Sequence, residues 1–338
     1  MINFEYVRAH DVGHAVRMMA TDPSAKFIAG GTNLIDLMKE DVERPSRLID
    51  ISGLPLKTID ETSDGGLRIG ALVSNSDLAW HPLIEQRYPL LSSAILSGAS
   101  QQLRNMASTG GNLLQRTRCA YFYDTATPCN KREPGTGCSA IGGINRGHAI
   151  LGTSESCIAT HPSDMCVALA ALDAKIHLLG PDGVRVVAFN DFHRLPGDTP
   201  QIDTTLHSKE IVTAVELPAK GFEANYSYLK IRDRLSYAFA LVSIAAALEF
   251  DGETIKEVRI ALGGVAHKPW RDAGAEAALR GQAPSEAAFT RAAHSLLRDA
   301  KAYKDNAFKI DLAHRGIVRT LTQAARATPQ SQSDKKIR

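Results

Sequence analysis

The 338-residue sequence lacks the features of an exported or membrane-spanning chain. It contains no run of about eighteen apolar residues, and its first residues, MINFEYVRAHDVGHAV, show no basic stretch followed by an apolar core. We therefore expect no membrane span and no export signal of its own. The expected location is the cytoplasm, or the periplasm if the folded chain is exported together with a partner subunit.

An excess of charge of either sign is also lacking. The chain has 39 Lys and Arg residues against 37 Asp and Glu residues, which gives a formal net charge of +2. No long basic run precedes the last few residues, so nucleic acid is not an expected partner. The sequence also shows no recognisable nucleophile–base pair and no paired carboxylates, and we assign no catalytic residue. Hydrophobic residues make up 44% of the chain, which is ordinary for a globular protein of two or three domains.

The G-x-G-x-x-G fingerprint of dinucleotide-binding βαβ units is missing. The nearest match, at 135–140, follows a polar loop rather than a strand. A different glycine pattern is present instead: the predicted strand Lys26–Ala29 leads into Gly30-Gly31-Thr32-Asn33 and then a predicted helix, 34–39. Backbone N–H groups in such a turn converge on an anion, and the helix N-terminus adds its positive end.

A second glycine pair, Gly110-Gly111-Asn112, follows in the same half of the chain. Two such turns are consistent with two phosphates of one ligand. The alternative for each is an ordinary tight turn.

Cysteines are few but concentrated in one loop. Four of the five cysteines, at 119, 129, 138 and 157, have the spacing C-x9-C-x8-C-x18-C in a stretch rich in Gly, Pro, Asn and Thr. A long loop without apolar periodicity needs something other than a hydrophobic core to order it. The candidates are disulfides, a zinc ion and an iron–sulfur cluster.

An odd cysteine count with four members clustered favours a metal or a cluster over disulfides. Structural zinc sites generally use C-x2–4-C pairs, which are absent, so the wide spacing favours a [4Fe–4S] cluster over zinc without excluding zinc. Cys166 stands apart in a predicted buried helix, 165–172, and is interpreted as a core residue. His148 and His161 flank the loop, and a surface or capping role is favoured over ligation for each.

The last third of the sequence differs in pattern from the rest. Three strands followed by three helices are predicted there, at 224–231, 240–250, 254–262, 270–280, 285–301 and 308–326. Strands followed by helices are typical of an α+β domain. Residues 328–338 are polar and are predicted to form a disordered tail.

Three runs of residues, taken together, resemble a known family. They are 28–34 (IAGGTNL), 103–113 (LRNMASTGGNL) and 161–165 (HPSDM). In this order they are similar to motifs of the FAD-binding (medium) subunit of the xanthine dehydrogenase and aldehyde oxidoreductase family of molybdenum enzymes. The cysteine loop lies behind the second glycine pair. In this it resembles the bacterial aldehyde oxidoreductases whose flavin subunit carries an extra [4Fe–4S] cluster.

The resemblance implies an α+β fold in two parts. Residues 1–220 would form a vanillyl-alcohol-oxidase (PCMH)-type FAD-binding domain, with subdomains of about 1–55 and 56–220 and the cluster loop at 116–160. Residues 221–327 would form a C-terminal domain like that of CO dehydrogenase flavoproteins, with a three-stranded antiparallel sheet and helices.

The resemblance also implies roles for individual residues. Those matching the motif that holds the FAD pyrophosphate are Ala29, Gly30, Gly31, Thr32, Asn33, Leu34, Thr109, Gly110, Gly111 and Asn112. Asp164 would hydrogen-bond the cofactor, and Lys230 would lie close to the flavin ring, where a cation favours the reduced, anionic flavin. Tyr237 and Phe239 would pack against the isoalloxazine or in the core. The cluster ligands would be Cys119, Cys129, Cys138 and Cys157.

The implied function is electron transfer within a heterotrimeric oxidoreductase. A large molybdenum-cofactor subunit would oxidise an aldehyde or xanthine-like substrate, and a small subunit would carry two [2Fe–2S] clusters. Electrons would pass from these clusters to FAD and on to an external acceptor. Two alternatives stay open: a zinc-binding or redox-sensing interaction protein without flavin, and a stand-alone flavin oxidase of the same fold.

Overall fold

The computed structural model describes residues 1–332, and in this part of the chain three sheets form. The N-terminal sheet is parallel, in the order β1-β3-β2. Its elements are β1 (Glu5–Arg8), α1 (Val12–Thr21), β2 (Lys26–Ile28), α2 (Leu34–Lys39) and β3 (Arg47–Asp50). Asp11 caps α1 by accepting a hydrogen bond from the His14 N–H at 2.6 Å, as its sequence position predicts.

The middle of the chain forms an antiparallel five-stranded sheet in the order β4-β5-β8-β6-β7, with short helices around it. Its elements are β4 (Ile59–Glu61), β5 (Leu67–Gly70), α3 (Asn75–Ala79), α4 (Pro82–Arg87), α5 (Pro89–Ser97), α6 (Gln101–Met106), α7 (Thr109–Leu113), α8 (Ala120–Tyr123), α9 (Ser139–Gly142), α10 (Asp164–Ala171), β6 (Lys175–Gly180), β7 (Gly183–Ala188), α11 (Phe189–Phe192) and β8 (Ile211–Leu217). Helices α5 and α10 are apolar on most sides and lie in the main core.

The C-terminal part forms an antiparallel three-stranded sheet in the order β11-β10-β9. Its elements are β9 (Tyr226–Ile231), β10 (Val242–Asp251), β11 (Thr254–Gly263), α12 (Ala273–Ala277), α13 (Glu286–Leu296) and α14 (Phe308–Ala325). One face of this sheet packs on α13 and α14, and alternating residues on the other face, such as Tyr228 and Ala245, join the core of α5 and α10. The mixed α and β architecture and the three-stranded C-terminal sheet confirm the predicted fold class.

Two local predictions differ from the structure. The apolar pattern of residues 88–98 predicts a helix that begins at Tyr88, but α5 begins at Pro89, and Tyr88 is a buried junction residue after α4. At the end of the chain, part of the segment predicted to be disordered contacts β9: Gln332 Nε2 donates to the Tyr228 carbonyl at 3.1 Å. The rest of that segment, 333–338, lies outside the described residues.

Among residues 1–332, none of the helices combines the length and the apolar character needed to cross a bilayer.

Candidate functional site

A cavity of about 960 Å³ lies between the parallel sheet and the rest of the molecule. Its walls come from the loop after β2, from α6 and α7, from the start of α10, and from β9 with the loop that follows it. This volume is at the upper end of the range for ligand pockets, so the cavity suits a large organic cofactor. All three segments that carry the family resemblance contribute to its lining.

The first glycine turn presents backbone N–H groups to this cavity. Within residues 1–332, the N–H groups of Gly30, Gly31, Thr32 and Asn33 donate to no protein acceptor. Gly31 has a φ of +71°, which favours glycine, and a Cβ on Gly30 would lie 1.7 Å from the Met106 carbonyl oxygen. The turn therefore approaches α6 closely and leaves four donors for an anion.

Asn33 adds a side-chain donor at the same place. Its Oδ1 accepts a hydrogen bond from the Arg116 N–H at 2.9 Å, which fixes the amide orientation. Its Nδ2 is buried and has no hydrogen-bond partner in the described chain, although the Tyr123 hydroxyl lies nearby. An unpaired buried amide is costly, so this group is consistent with a ligand that supplies an acceptor.

The second glycine turn differs from the first. The N–H groups of residues 109 to 112 all donate within the protein, to Val73 O, Ala71 O, Ser108 Oγ and Ser108 O. Thr109 is buried and does not line the cavity, whereas Gly110, Gly111 and Asn112 do. The first turn therefore leaves its N–H groups without protein acceptors, whereas the second turn uses all of its own and contributes a wall without side-chain bulk.

Asp164, Tyr228 and Lys230 form one buried group at the cavity wall. The Lys230 ammonium lies 2.7 Å from Asp164 Oδ2, and the Tyr228 hydroxyl donates to Asp164 Oδ1 at 2.7 Å. Lys230 also donates to the Ser97 carbonyl at 3.3 Å. Burial, followed by the Asp164 charge, raises the pKa of Tyr228, which keeps its hydroxyl a donor. The two residues to which sequence assigned cofactor roles thus contact each other directly.

Two aromatic side chains stand at the open side of the cavity. Tyr237 and Phe239 lie in the loop between β9 and β10, line the cavity and are exposed. The Arg118 guanidinium lies 4.9 Å from the centroid of the Phe239 ring. Exposed aromatic rings at a pocket offer flat surfaces for stacking a ring system.

The four clustered cysteines meet around a second, small cavity. Cys119, Cys129, Cys138 and Cys157 all line it, and none of them forms a disulfide. Cys129 and Cys138 face each other across an isolated β-bridge. The loop is ordered largely by polar contacts: Asn130 Oδ1 accepts hydrogen bonds from the N–H groups of Gly135 and Gly137, at 3.1 and 2.8 Å.

Burial dominates the electrostatics of this cluster. It raises the pKa of Cys119 to about 12 and that of Cys157 to about 11, so both are protonated thiols when no metal is bound. His148 Nε2 lies 3.1 Å from Cys119 Sγ, and burial lowers the pKa of His148 to about 4. Four converging thiols form a ligand set for a metal or an iron–sulfur cluster, whose binding would release protons.

A row of partly buried charges connects the two cavities. Arg116 pairs with Glu43 at 2.8 Å and its Nε lies 2.6 Å from Asp203 Oδ2, an ion pair without hydrogen-bond geometry. Asp203 also pairs with Lys131, which lines the cysteine cavity and donates to the Pro200 carbonyl at 2.7 Å. Burial alone would raise the pKa of Asp203, but Lys131 and Arg116 outweigh it and hold the pKa at about 2.

Comparison with known families identifies the chain. The family described as FAD binding domain in molybdopterin dehydrogenase matches residues 2–220, and the CO dehydrogenase flavoprotein C-terminal domain matches residues 226–324. The chain belongs to the FAD-binding subunits of the xanthine dehydrogenase and aldehyde oxidoreductase family. The family resemblance stated from the sequence is confirmed.

Several members of this family are similar over most of their length. The FAD-binding subunit PaoB of the Escherichia coli K12 aldehyde oxidoreductase is 51% identical over 95% of this chain and 98% of its own. The medium chain of glyceraldehyde dehydrogenase from Sulfolobus acidocaldarius is 28% identical over 79% of this chain and 78% of its own. Among solved structures, the carbon monoxide dehydrogenase of Hydrogenophaga pseudoflava matches with a TM-score of 0.76 and 27% identity over 97% of this chain and 99% of that one.

Sequence reasoning missed several residues that shape this family member's site. In the sequence, Tyr228 is one residue of a predicted strand and shows no sign of a role in the site, yet its hydroxyl donates a hydrogen bond to Asp164 Oδ1. Arg116, Lys131 and Asp203 were not singled out, although together they connect the glycine turn to the cysteine loop. The available signal was the position of Lys131 between two cysteines of the loop. A lysine at a buried site is rarely without a partner, so its position indicates a nearby carboxylate.

Proposed function

We propose that this chain binds FAD in the large cavity and transfers electrons within a molybdenum-dependent oxidoreductase. The observation that carries the proposal is the first glycine turn, whose residues line the cavity and whose four N–H groups donate to no acceptor in residues 1–332. The family to which the chain belongs is one of FAD-binding subunits. FAD, when bound, would supply the capacity to accept electrons and pass them on one or two at a time.

The residues of the cavity fit such a cofactor in distinct ways. The turn from Ala29 to Leu34 would hold the pyrophosphate through its backbone. Gly110, Gly111 and Asn112 would form the opposite wall, with Thr109 bracing the turn from behind. Asp164, fixed by Tyr228 and Lys230, would hydrogen-bond the cofactor, and Lys230 would place a positive charge beside the flavin ring. A buried cation stabilises negative charge there, which favours electron uptake.

We further propose that Cys119, Cys129, Cys138 and Cys157 bind a [4Fe–4S] cluster. The proposal is supported by the convergence of four reduced thiols on one cavity and by the absence of C-x2–4-C pairs among them. The small size of the cavity, which all four cysteines line, fits a group bonded to the cysteines themselves better than a freely exchanging ligand.

The partners follow from the proposed function. The chain would assemble with a large molybdenum-cofactor subunit and a small subunit with [2Fe–2S] clusters, and electrons would pass from the latter through FAD to an external acceptor. The family members PaoB and the carbon monoxide dehydrogenase medium chain are, by their names, parts of larger enzymes. We also propose a domain division near residue 220, which is supported by the end of one family match at 220 and the start of the other at 226.

The test is cofactor analysis of the purified chain, alone and with its co-expressed partners. We expect flavin absorbance and about four iron and four sulfide per chain. Cys138→Ser should lose the iron and keep FAD, and Cys166→Ser, a matched change outside the loop, should keep both.

Three other outcomes would count against parts of the proposal. Iron-free protein that contains zinc bound by four sulfurs would refute the cluster. Colourless protein that binds no added FAD would favour the zinc-binding or redox-sensing alternative. Oxidation of an aldehyde by the isolated chain would favour a stand-alone oxidase.

A further inference from the structure

A second group of potential metal ligands lies outside the cysteine loop, behind the second glycine turn. His161, Cys166 and His193 come from three different segments: the loop before α10, the first turn of α10, and the residue after α11. One ligand atom from each lies within 4.8 Å of the other two. Neither the proposed flavin site nor the proposed cluster uses these side chains.

His193 is oriented like a metal ligand. Its Nε2 donates to the Leu113 carbonyl at 2.9 Å, which places the ring proton on Nε2 and leaves the lone pair on Nδ1. Only 3% of the residue is exposed, and Nδ1 is buried without a hydrogen-bond partner in residues 1–332. Histidines that bind metals commonly donate their second ring N–H to a backbone carbonyl, since this bond fixes the tautomer and the ring orientation.

His161 supplies a second unsatisfied nitrogen. Its Nε2 is buried and has no hydrogen-bond partner in the described chain, and its ring lies 4.5 Å from that of His193 at 67°. The Ser163 N–H approaches Nδ1 at 3.4 Å, a long contact. Ligation through Nε2 would place the proton on Nδ1 and give up that contact.

Cys166 completes the donor set. It is fully buried, and its N–H donates to the Ser163 hydroxyl at 3.0 Å, which places it on the first turn of α10. Two imidazoles and one thiolate suit zinc or copper ions and do not suit Mg²⁺ or Ca²⁺, which prefer oxygen ligands. Leaving two adjacent imidazole nitrogens buried and unpaired costs free energy, which a bound ion would recover.

We propose that His161, Cys166 and His193 bind one transition-metal ion of the zinc class. The ion would join the start of α10 to the end of α11. It would also support the second glycine turn, because Leu113 holds His193 and Asn112 Oδ1 accepts from the Ser163 hydroxyl at 2.6 Å. The role is structural: it stabilises the wall of the large cavity from behind.

The test uses Zn²⁺ with the purified full-length chain after treatment with a chelator and removal of loosely bound metal. X-ray absorption at the zinc edge should show a single sulfur at about 2.3 Å and two or three nitrogen or oxygen atoms at about 2.0–2.1 Å. His193→Gln and Cys166→Ala should each weaken Zn²⁺ binding at least tenfold while iron and FAD contents stay the same. His177→Gln is the matched control, because His177 pairs with Glu216 at 2.9 Å, away from the site.

Any of three results would overturn the proposal. A zinc spectrum with four sulfurs would place the ion in the cysteine loop instead, and absence of stoichiometric zinc would mean that the two nitrogens are satisfied by water. Unchanged Zn²⁺ affinity in both variants would show that His193 and Cys166 do not bind the ion. If the variants fail to fold, the spectrum of the unmodified chain still decides between one sulfur and four.

Discussion

The buried pair between Asp164 and Lys230 gives a prediction whose size can be estimated from the structure. We consider Lys230→Met, which keeps the length and the apolar stem of the side chain and removes the charge. The Lys230 Nζ and Asp164 Oδ2 atoms lie 2.7 Å apart, and the side chains of Lys230 and Asp164 are 3% and 9% exposed, respectively. At an effective dielectric constant of about 20, their attraction is about 6 kcal/mol, which the cost of removing both charges from water largely offsets.

The loss of one partner is different from the loss of both. Lys230→Met leaves the Asp164 carboxylate buried without its contacting counter-charge, with the Tyr228 hydroxyl, the N-terminus of α10 and the more distant Arg232 as its remaining partners. We expect the free energy of unfolding to fall by about 3–5 kcal/mol. Adding Asp164→Asn to Lys230→Met should recover at least about 1 kcal/mol, since no charge then stays unpaired.

The assay is urea denaturation of the flavin-free chain, so that loss of cofactor contacts does not contribute. With an m-value of about 3 kcal/mol per molar, the midpoint should shift by about 1 M or more. Lys256→Met is the matched control. Lys256 lies at the same 2.7 Å from Glu249, but these side chains are 60% and 30% exposed, so a loss of at most about 1 kcal/mol is expected. Equal losses in the two variants would refute the argument from burial.

Two further predictions concern the glycine turn and a buried histidine. Gly30→Ala should weaken FAD binding at least tenfold in a fluorescence titration, because its Cβ would meet a backbone carbonyl at 1.7 Å. Gly111→Ala should lose much less affinity, because its Cβ would meet only the Ser108 hydroxyl at 2.9 Å, a side-chain atom that can shift at the cost of one hydrogen bond. Similar affinities for the two would contradict this use of the geometry. Burial, aided by Lys131, lowers the pKa of His267 to about 4 from 6.5. The native state therefore binds fewer protons than the unfolded state between these values. The contribution of neutral His267 to the free energy of unfolding is fully present above pH 6.5 and is lost as the pH falls towards 4. Between pH 7 and 5 the free energy of unfolding of the unmodified chain should fall by about 2 kcal/mol more than that of His267→Gln, as measured by denaturation curves at each pH. Equal losses in the two proteins would rule this out.

The elements that sequence could predict are those whose signals are local. Strands β10 and β11 were predicted at 240–250 and 254–262 and occur at Val242–Asp251 and Thr254–Gly263, because their apolar runs flank an Asp-Gly turn. The run Ser74-Asn75-Ser76-Asp77 has the S-x-x-D form of a capping box, and the Ser74 hydroxyl accepts from the Asp77 N–H at 3.0 Å. Such features depend on residues three or four positions apart.

The parts of the site that sequence could not predict depend on distant pairs. Asp164 and Lys230 are 66 positions apart, and nothing local indicates that one neutralises the other. The two glycine turns look alike in sequence, but only in the folded chain do Ala71 and Val73 accept the N–H groups of the second. Whether a donor is available to a ligand is decided by the neighbouring segment, and therefore by the tertiary fold.

The charge row from Glu43 through Arg116 and Asp203 to Lys131 has a thermodynamic consequence. Arg116 holds Asn33 through its backbone N–H, and Lys131 lies among the residues around the four cysteines, so each cavity is bordered by one end of the same rigid network. Ordering either end lowers the conformational cost of ordering the other. If FAD and a metal occupy the two cavities as proposed and the charge row couples them, linkage requires reciprocity: whatever factor FAD adds to the affinity of the cysteine loop for a metal, the metal returns to the affinity for FAD. The cysteine loop, although it lies outside the large cavity, would then contribute to how tightly that cavity binds its cofactor.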